Sequence, residues 1–139
     1  MAIIKTLGLL AIASFQAQAL DATPINVFCE NHEYNWVGAR MDAVMNGIDH
    51  LRSVSGKPGS RAGPKMCGRV SCSYDSAIWW CNDNEHEIEL RSYGLIADAA
   101  EAIRQKCYTL NTDGDWFTTG QAFMRGNWNV IVRRDVDNC

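Results

Sequence analysis

Hydrophobic side chains between residues 36 and 53 recur at helical spacing. Successive members of this set are one, three or four positions apart: Val37, Met41, Val44, Met45, Ile48 and Leu51. One face of an α-helix returns every 3.6 residues, so the pattern predicts an amphipathic helix over roughly 36–53, with Asn35 as its N-cap. We expect Met41 and Met45, which lie on that face, to fill the core.

A second helix is predicted over roughly 94–107, after Ser92. Its apolar positions share one face, which carries Ile96, Ala99, Ala100, Ile103 and Cys107. Acidic side chains lie early in this segment and basic ones late, which matches the helix dipole. Because Cys107 continues the apolar face, we expect it to form a bridge inward, towards a sheet.

Segments rich in β-branched and aromatic residues predict the strands. Residues 69–74 and 77–81 favour a hairpin around Asp75-Ser76, and one continuous edge strand is the alternative. Only in the hairpin could Cys72 and Cys81 lie on neighbouring strands, because a continuous strand would separate them by about 30 Å. The other predicted strands are 25–30, 86–90, 119–124 and 128–133, with polar turns at 82–84 and 111–115.

The order of these elements is strand, helix, strand pair, strand, helix, strand pair. Two helices on one face of a mainly antiparallel sheet would bury the apolar surfaces of both kinds of element. The sequence therefore predicts an α+β fold, a sandwich of split βαβ type with three disulfides.

The first 19 residues have the pattern of a secretory signal peptide. Lys5 precedes a short apolar run from Leu7 to Phe15, and Ala17-Gln18-Ala19 is a small-x-small cleavage site. A first buried helix is the alternative, whereas a membrane anchor would need a longer apolar run. We therefore expect residues 20–139 to be one mature, secreted domain, extracellular in location.

All six cysteines lie within residues 20–139, an even number that predicts three disulfides in an oxidising compartment. Six cysteines allow fifteen connectivities. The preferred partner of Cys107 is Cys81. The spacings lack the paired short intervals of a zinc site, so no metal or other cofactor is expected. The cysteines are Cys29, Cys67, Cys72, Cys81, Cys107 and Cys139.

Residues 20–139 carry 12 basic and 16 acidic side chains, a formal charge of −4. An acidic domain lacks the positive surface that nucleic acids or anionic membranes require, so neither is an expected partner. We expect a monomer with no membrane span. The basic loop 55–65 contains Lys57, Arg61 and Lys65, which either contact an anionic partner or merely keep a surface loop solvated.

Five tryptophans are many for a domain of this size, and Trp79 and Trp80 are adjacent. Neighbouring residues of a strand point to opposite faces, so one ring should belong to the core and the other should be exposed or covered by a loop. An exposed tryptophan could anchor a protein or glycan partner. Simple packing of both rings is the alternative.

Catalytic motifs are absent from the sequence: it contains no G-x-S-x-G, P-loop, dinucleotide fingerprint or HExxH. His32 and His86 both have acidic neighbours, and His50 lies near the end of the first predicted helix. A secreted ribonuclease could recruit His86, Glu87 and Arg91 as base, acid and cation, although their spacing matches no known motif. We therefore expect no catalytic residues.

Two segments carry a resemblance to known proteins. CGRVSCSYDSAIWWCNDN at 67–84 and GQAFMRGNWNVIVR at 120–133, closing on Cys139, resemble small secreted cysteine-rich proteins of filamentous fungi, many of them effector candidates. The layout of helices, strands and cysteines is also similar to smut-fungus killer toxins and necrosis-inducing-factor-like effectors, although this chain has fewer cysteines than the toxins.

The resemblance implies a secreted, non-enzymatic protein that binds a host or competitor protein or glycan at a cell surface. A killer-toxin-like antimicrobial protein is one alternative. A small secreted hydrolase or ribonuclease-like enzyme is the other.

Overall fold

The structure is a computed structural model that describes residues 23–29, 35–137 and 139. The predicted leader and His32 lie outside the described residues. In chain order the elements are β1 (Asn26–Phe28), β2 (Ala39–Arg40), α1 (Met41–Ser53), β3 (Gly59–Ser60), β4 (Met66–Ser73), β5 (Ser76–Asn82), β6 (Ile88–Glu89), α2 (Gly94–Lys106), β7 (Tyr108–Leu110), β8 (Trp116–Thr118), β9 (Gly120–Met124) and β10 (Trp128–Arg134).

Five strands form the main sheet in the order β1-β9-β10-β5-β4, and every neighbouring pair is antiparallel. The two helices pack against each other and cover one face of this sheet, α1 over β4 and β5 and α2 over β1, β9 and β10. Two smaller antiparallel sheets, β2-β8-β7 and β3-β6, complete the described fold. The α+β arrangement predicted from the sequence is thereby confirmed. Within the described residues, neither helix is long and apolar enough to cross a lipid bilayer.

The core lies between the helices and the main sheet. Alternate residues of the two central strands point towards the helices and are buried: Ile78, Trp80, Trp128, Val130 and Val132. The helices meet them with a stripe of buried aliphatic side chains that includes Val44, Ile48, Leu51, Leu95, Ile96 and Ile103. Because the strands alternate, their remaining side chains face away from the core.

α1 begins later and buries a narrower stripe than the sequence predicted. Ala39 and Arg40 pair with Thr118 and Phe117 as a short strand, so the helix begins at Met41 and Asn35 is not its N-cap. The prediction that Met45 fills the core was wrong, because its side chain is 46% exposed. Tertiary contact with β8 outcompetes the helical pattern of residues 36–40.

β4 and β5 form the predicted hairpin. Its turn contains Tyr74 and Asp75, one residue before the predicted position, and both have positive φ (48° and 57°). Two successive residues with positive φ are characteristic of a type I′ turn, whose twist matches that of the flanking strands.

The hairpin of β7 and β8 was not predicted, although the polar turn at 111–115 that connects these strands was predicted. Strands of three residues are too short for alternation to identify them.

The three disulfides join Cys29 to Cys107, Cys67 to Cys81, and Cys72 to Cys139. The preferred pairing of Cys81 with Cys107 was therefore wrong. Cys81 follows Trp80, which points into the core, so Cys81 points to the opposite face of the sheet. Cys107 lies at the end of α2, on the helix side, and bridges instead to Cys29 just after β1.

Candidate binding face on the open side of the sheet

In the part of the chain that the structure describes, no helix covers the second face of the main sheet, and strand register determines which side chains meet there. Trp79 lies directly opposite Arg69 on one side and Ile131 on the other, and Ile131 lies opposite Gln121. The next row contains the Cys67–Cys81 disulfide, Asn129 and Phe123 in the same cross-strand order. We call this surface the Trp79 face: Cys67, Arg69, Trp79, Cys81, Gln121, Phe123, Asn129, Ile131 and Arg133.

Two guanidinium groups hold the half-buried ring of Trp79. The Cζ atom of Arg69 lies 5.8 Å from the ring centroid, and that of Arg133 lies 5.4 Å from it. Both distances are within the range at which a cation is attracted to the ring quadrupole. The indole is therefore positioned by its neighbours on β4 and β10.

Arg69 is in turn fixed by the chain that follows β10. Its Nη1 donates to Oδ2 of Asp135 at 3.1 Å and to the carbonyl oxygen of Asp137 at 2.8 Å. Burial raises the pKa of the Asp135 carboxyl, but the hydrogen bonds from the Asp137 N–H and from Arg69 outweigh it, so the pKa lies below its ordinary value. Asp135 is only 6% exposed and stays ionised at neutral pH, which anchors Arg69 beside the ring.

A chain of polar side chains borders the other end of the face. Gln121 Nε2 donates to Asn129 Oδ1 at 2.9 Å, and Asn129 Nδ2 donates to Asp83 Oδ2 at 2.6 Å. The backbone N–H of Lys65 donates to the second oxygen of Asp83 at 3.1 Å. Both oxygens of Asp83 are thus occupied by donors of the protein, which orders this end of the surface.

The Trp79 face contains an open cavity of about 640 Å³. Its floor is mostly apolar, formed by Trp79, Phe123, Ile131 and the Cys67–Cys81 disulfide, while Trp36, Lys65, Asp83 and Arg133 border it. Binding sites for small molecules have this size and this combination of an apolar floor with a few polar groups.

The side chains of Trp79 and Trp80 lie on opposite faces of the sheet, as the alternation along the strand predicted. Trp80 is 5% exposed and belongs to the core, so it has almost no surface to offer a partner. Trp79 lies half-buried on the open face. Of the two tryptophans suggested as partner contacts, only Trp79 can therefore reach a partner.

The basic loop does not act as a single charged patch. Lys65 borders the Trp79 cavity, whereas Lys57 lies 3.9 Å from Glu89 and Arg61 borders a different, shallow pocket beside Glu87. Among the three cations suggested as partner contacts, the structure brings only Lys65 to the Trp79 face.

The residues suggested for a ribonuclease lie elsewhere, in and after the loop that leads into β6. His86 and Glu87 are exposed, and His86 Nδ1 lies 3.0 Å from the carbonyl oxygen of Glu87. Glu87 borders the shallow pocket beside Arg61, and the described lining of that pocket includes neither His86 nor Arg91. Among the described residues, no three His, Cys, Asp or Glu side chains group as a metal site.

Sequence reasoning missed Arg69, Arg133, Gln121 and Asn129 as members of the site. The signal was present in β10, where the alternation places Asn129, Ile131 and Arg133 on the face opposite Trp128, Val130 and Val132. What could not be derived is that this face meets Trp79, because that depends on the pairing of β10 with β5.

Comparisons with protein-family models, curated proteins and solved structures find no match to this chain. A function can therefore be proposed only from its residues and their geometry.

Proposed function

We propose that this is a secreted, effector-like protein that acts without catalysis, by binding a host or competitor protein or glycan through the Trp79 face. One observation carries the proposal: helices cover one face of the main sheet, while the other presents a tryptophan held between two arginines over an open cavity. Tryptophan and arginine are the residues that most often dominate binding energy at protein interfaces.

The segments that resemble fungal secreted proteins support the same surface. Residues 67–84 contain nearly all of β4 and all of β5, and residues 120–133 contain β9 and most of β10. These four strands supply every residue of the Trp79 face. The three disulfides are compatible with an extracellular site of action, where oxidised cysteines persist.

The test is a capture experiment with matched tryptophan variants. Immobilised, oxidised wild-type protein, Trp79→Ala and Trp116→Ala are exposed to extracellular fluid and cell-wall fractions from candidate hosts and competing microbes. Trp116 is the control because it is a half-exposed tryptophan in the separate β2-β8-β7 sheet. Bound proteins and glycans are quantified by mass spectrometry.

We expect a component that wild type and Trp116→Ala capture equally and that Trp79→Ala loses. Near-ultraviolet circular dichroism checks that each variant is folded. Equal capture by folded Trp79→Ala and wild type would remove the Trp79 face from the proposed function.

A further inference from the structure

We propose that the cavity of the Trp79 face binds a small amphipathic carboxylate, an apolar or aromatic ring system that carries one negative charge. The inference goes beyond the proposed function, because it adds a small-molecule ligand to the same surface and can hold or fail independently. It follows from the charges around the cavity, the chemistry of its floor and the contacts of Arg133.

The cavity has an excess of positive charge although the protein as a whole is acidic. Its described lining contains two cations, Lys65 and Arg133, against one carboxylate, Asp83, while the ion pair of Arg69 and Asp135 lies next to Trp79 and adds no net charge. Hydrogen bonds within the protein occupy both oxygens of each carboxylate. The local field therefore favours a ligand with a single negative charge.

Of the two cations in the described lining, Lys65 is exposed and Arg133 is partly buried, so Arg133 is the one that can hold such a ligand firmly. Arg69 is fixed by Asp135 and Asp137. Arg133 contacts the Trp79 ring and helps to lower the pKa of Asp135 through its charge, but it makes no hydrogen bond or 4 Å ion pair with any described residue. Its side chain is partly buried at the border of the cavity, where a guanidinium is less screened than in open water. A planar guanidinium can bind a carboxylate with two parallel hydrogen bonds.

The floor of the cavity determines the chemistry of the uncharged part of the ligand. Beside Arg133 lie the apolar side chains of Trp79, Ile131 and Phe123 and the Cys67–Cys81 disulfide, whose one strong hydrogen-bonding group is the indole N–H of Trp79. A polar ligand surface would lose water against this floor without replacement hydrogen bonds, so the part of a ligand that meets the floor should be apolar. A flat apolar body would instead bury its surface against these side chains while its carboxylate meets Arg133.

Binding of 2-naphthoate to the oxidised protein tests the proposal, with 2-naphthamide as an uncharged probe of the same shape. Affinities are measured by calorimetry, and amide chemical shifts locate the site. The variants are Arg133→Gln and Arg134→Gln. The second is the matched control, because Arg134 neighbours Arg133 on the strand but is exposed and lies 3.7 Å from Asp75.

We expect wild type to prefer naphthoate over naphthamide and to lose affinity for naphthoate as sodium chloride is raised. Arg133→Gln should weaken naphthoate roughly tenfold and leave naphthamide unchanged, whereas Arg134→Gln should bind both probes like wild type. Shift changes should centre on Trp79, Phe123 and Ile131.

Equal affinity for the two probes, or an Arg133→Gln variant that binds naphthoate like wild type, would overturn the ligand class. If naphthoate does not bind but Trp79→Ala still abolishes target capture, this inference fails and the proposed function stands. If naphthoate binds as expected but folded Trp79→Ala captures targets like wild type, the proposed function fails and the carboxylate site stands.

Discussion

At the scale of single residues, position on the strand decides what each tryptophan does. Trp79 and Trp80 are neighbours of the same type, yet Trp80 packs between the sheet and the helices and Trp79 lies on the open face. The cause is the two-residue repeat of a strand, which sends successive side chains to opposite sides. An alanine substitution at Trp80 would therefore disrupt the core, whereas an alanine substitution at Trp79 would change the binding surface.

Gly47 is a second residue whose role depends on its neighbours. A Cβ atom there would lie 2.6 Å from Ser71 Oγ of β4 and 3.2 Å from Ile78 Cδ1 of β5. In a helix interior, glycine lowers helix stability by about 1 kcal/mol relative to alanine, so its presence in α1 needs a structural reason. The reason is the close packing of α1 on the sheet at this point.

We expect Gly47→Ala to lower the free energy of unfolding, by about 1–2 kcal/mol, despite the better helix propensity of alanine. Urea denaturation of the oxidised protein measures the change. The double variant Gly47→Ala/Ser71→Ala should recover much of the loss, because it removes the Oγ that the new methyl group would meet. Gly68→Ala is the control, since a Cβ there meets no atom within 4 Å. A stabilised Gly47→Ala variant would contradict the close-packing explanation.

At the scale of elements, the disulfides connect parts of the fold with very different separations along the chain. Cys67–Cys81 joins directly paired residues of the β4–β5 hairpin and closes 14 residues. Cys29–Cys107 joins the end of β1 to the end of α2 and closes 78 residues. The first disulfide reinforces a contact that the hairpin turn already favours, and the second joins distant elements.

Chain entropy predicts that the longer disulfide contributes more to stability. Loop closure in the unfolded chain is worth about 3 kcal/mol for the Cys67–Cys81 interval and about 4.5 kcal/mol for the Cys29–Cys107 interval. We therefore expect the double variant Cys29→Ala/Cys107→Ala to lose more stability in urea than Cys67→Ala/Cys81→Ala. Equal losses, or the reverse order, would show that native contacts rather than loop length determine these contributions.

At the scale of the whole molecule, the fold is one main sheet with its two faces used differently. The hydrophobic core lies between one face of the sheet and the two helices. The other face holds Trp79 beside Arg69 and Arg133. Carboxyl groups with lowered pKa values form ion pairs in separate parts of this fold. Hydrogen bonds from Arg104 lower the pKa of Glu101 on α2, and Asp135 anchors Arg69.

These pKa shifts make stability depend on pH in a defined direction. A carboxyl whose pKa is lower in the folded state stabilises the protein above its unfolded pKa, near 4, and loses that contribution as pH falls through the folded value. We expect the free energy of unfolding to fall below about pH 4. Asp135→Asn should be less stable than wild type at pH 7 and should lose less between pH 7 and pH 3.

The matched control for this experiment is Asp113→Asn, which removes an exposed carboxylate from the 111–115 turn. Its unfolding profile in urea at pH 7, 5, 4 and 3 should follow that of wild type. An Asp135→Asn profile parallel to wild type at every pH would show that Asp135 does not supply the acid sensitivity.

Local patterns predicted most elements of this fold, and the places where they failed have identifiable physical causes. The second helix, the β4–β5 hairpin and β10 follow from periodicity and turn chemistry, which act between residues close in sequence. The β7–β8 hairpin did not follow, because its strands have only three residues each, and the start of α1 did not follow, because β2 pairs with β8 there. Residues 39 and 118 are far apart in the chain, and no local pattern reports their contact.

The sequence by itself determined that the chain has two amphipathic helices, a set of alternating strands, three disulfides and one tryptophan on each side of β5. Only the tertiary structure decided which cysteines pair, which face of the sheet the helices cover, and that Arg69 and Arg133 meet at Trp79. The physical reason is that periodicity assigns a side chain to a face of its own element. Strand register and helix packing then bring together faces that lie far apart along the chain, such as those of Arg69 and Arg133.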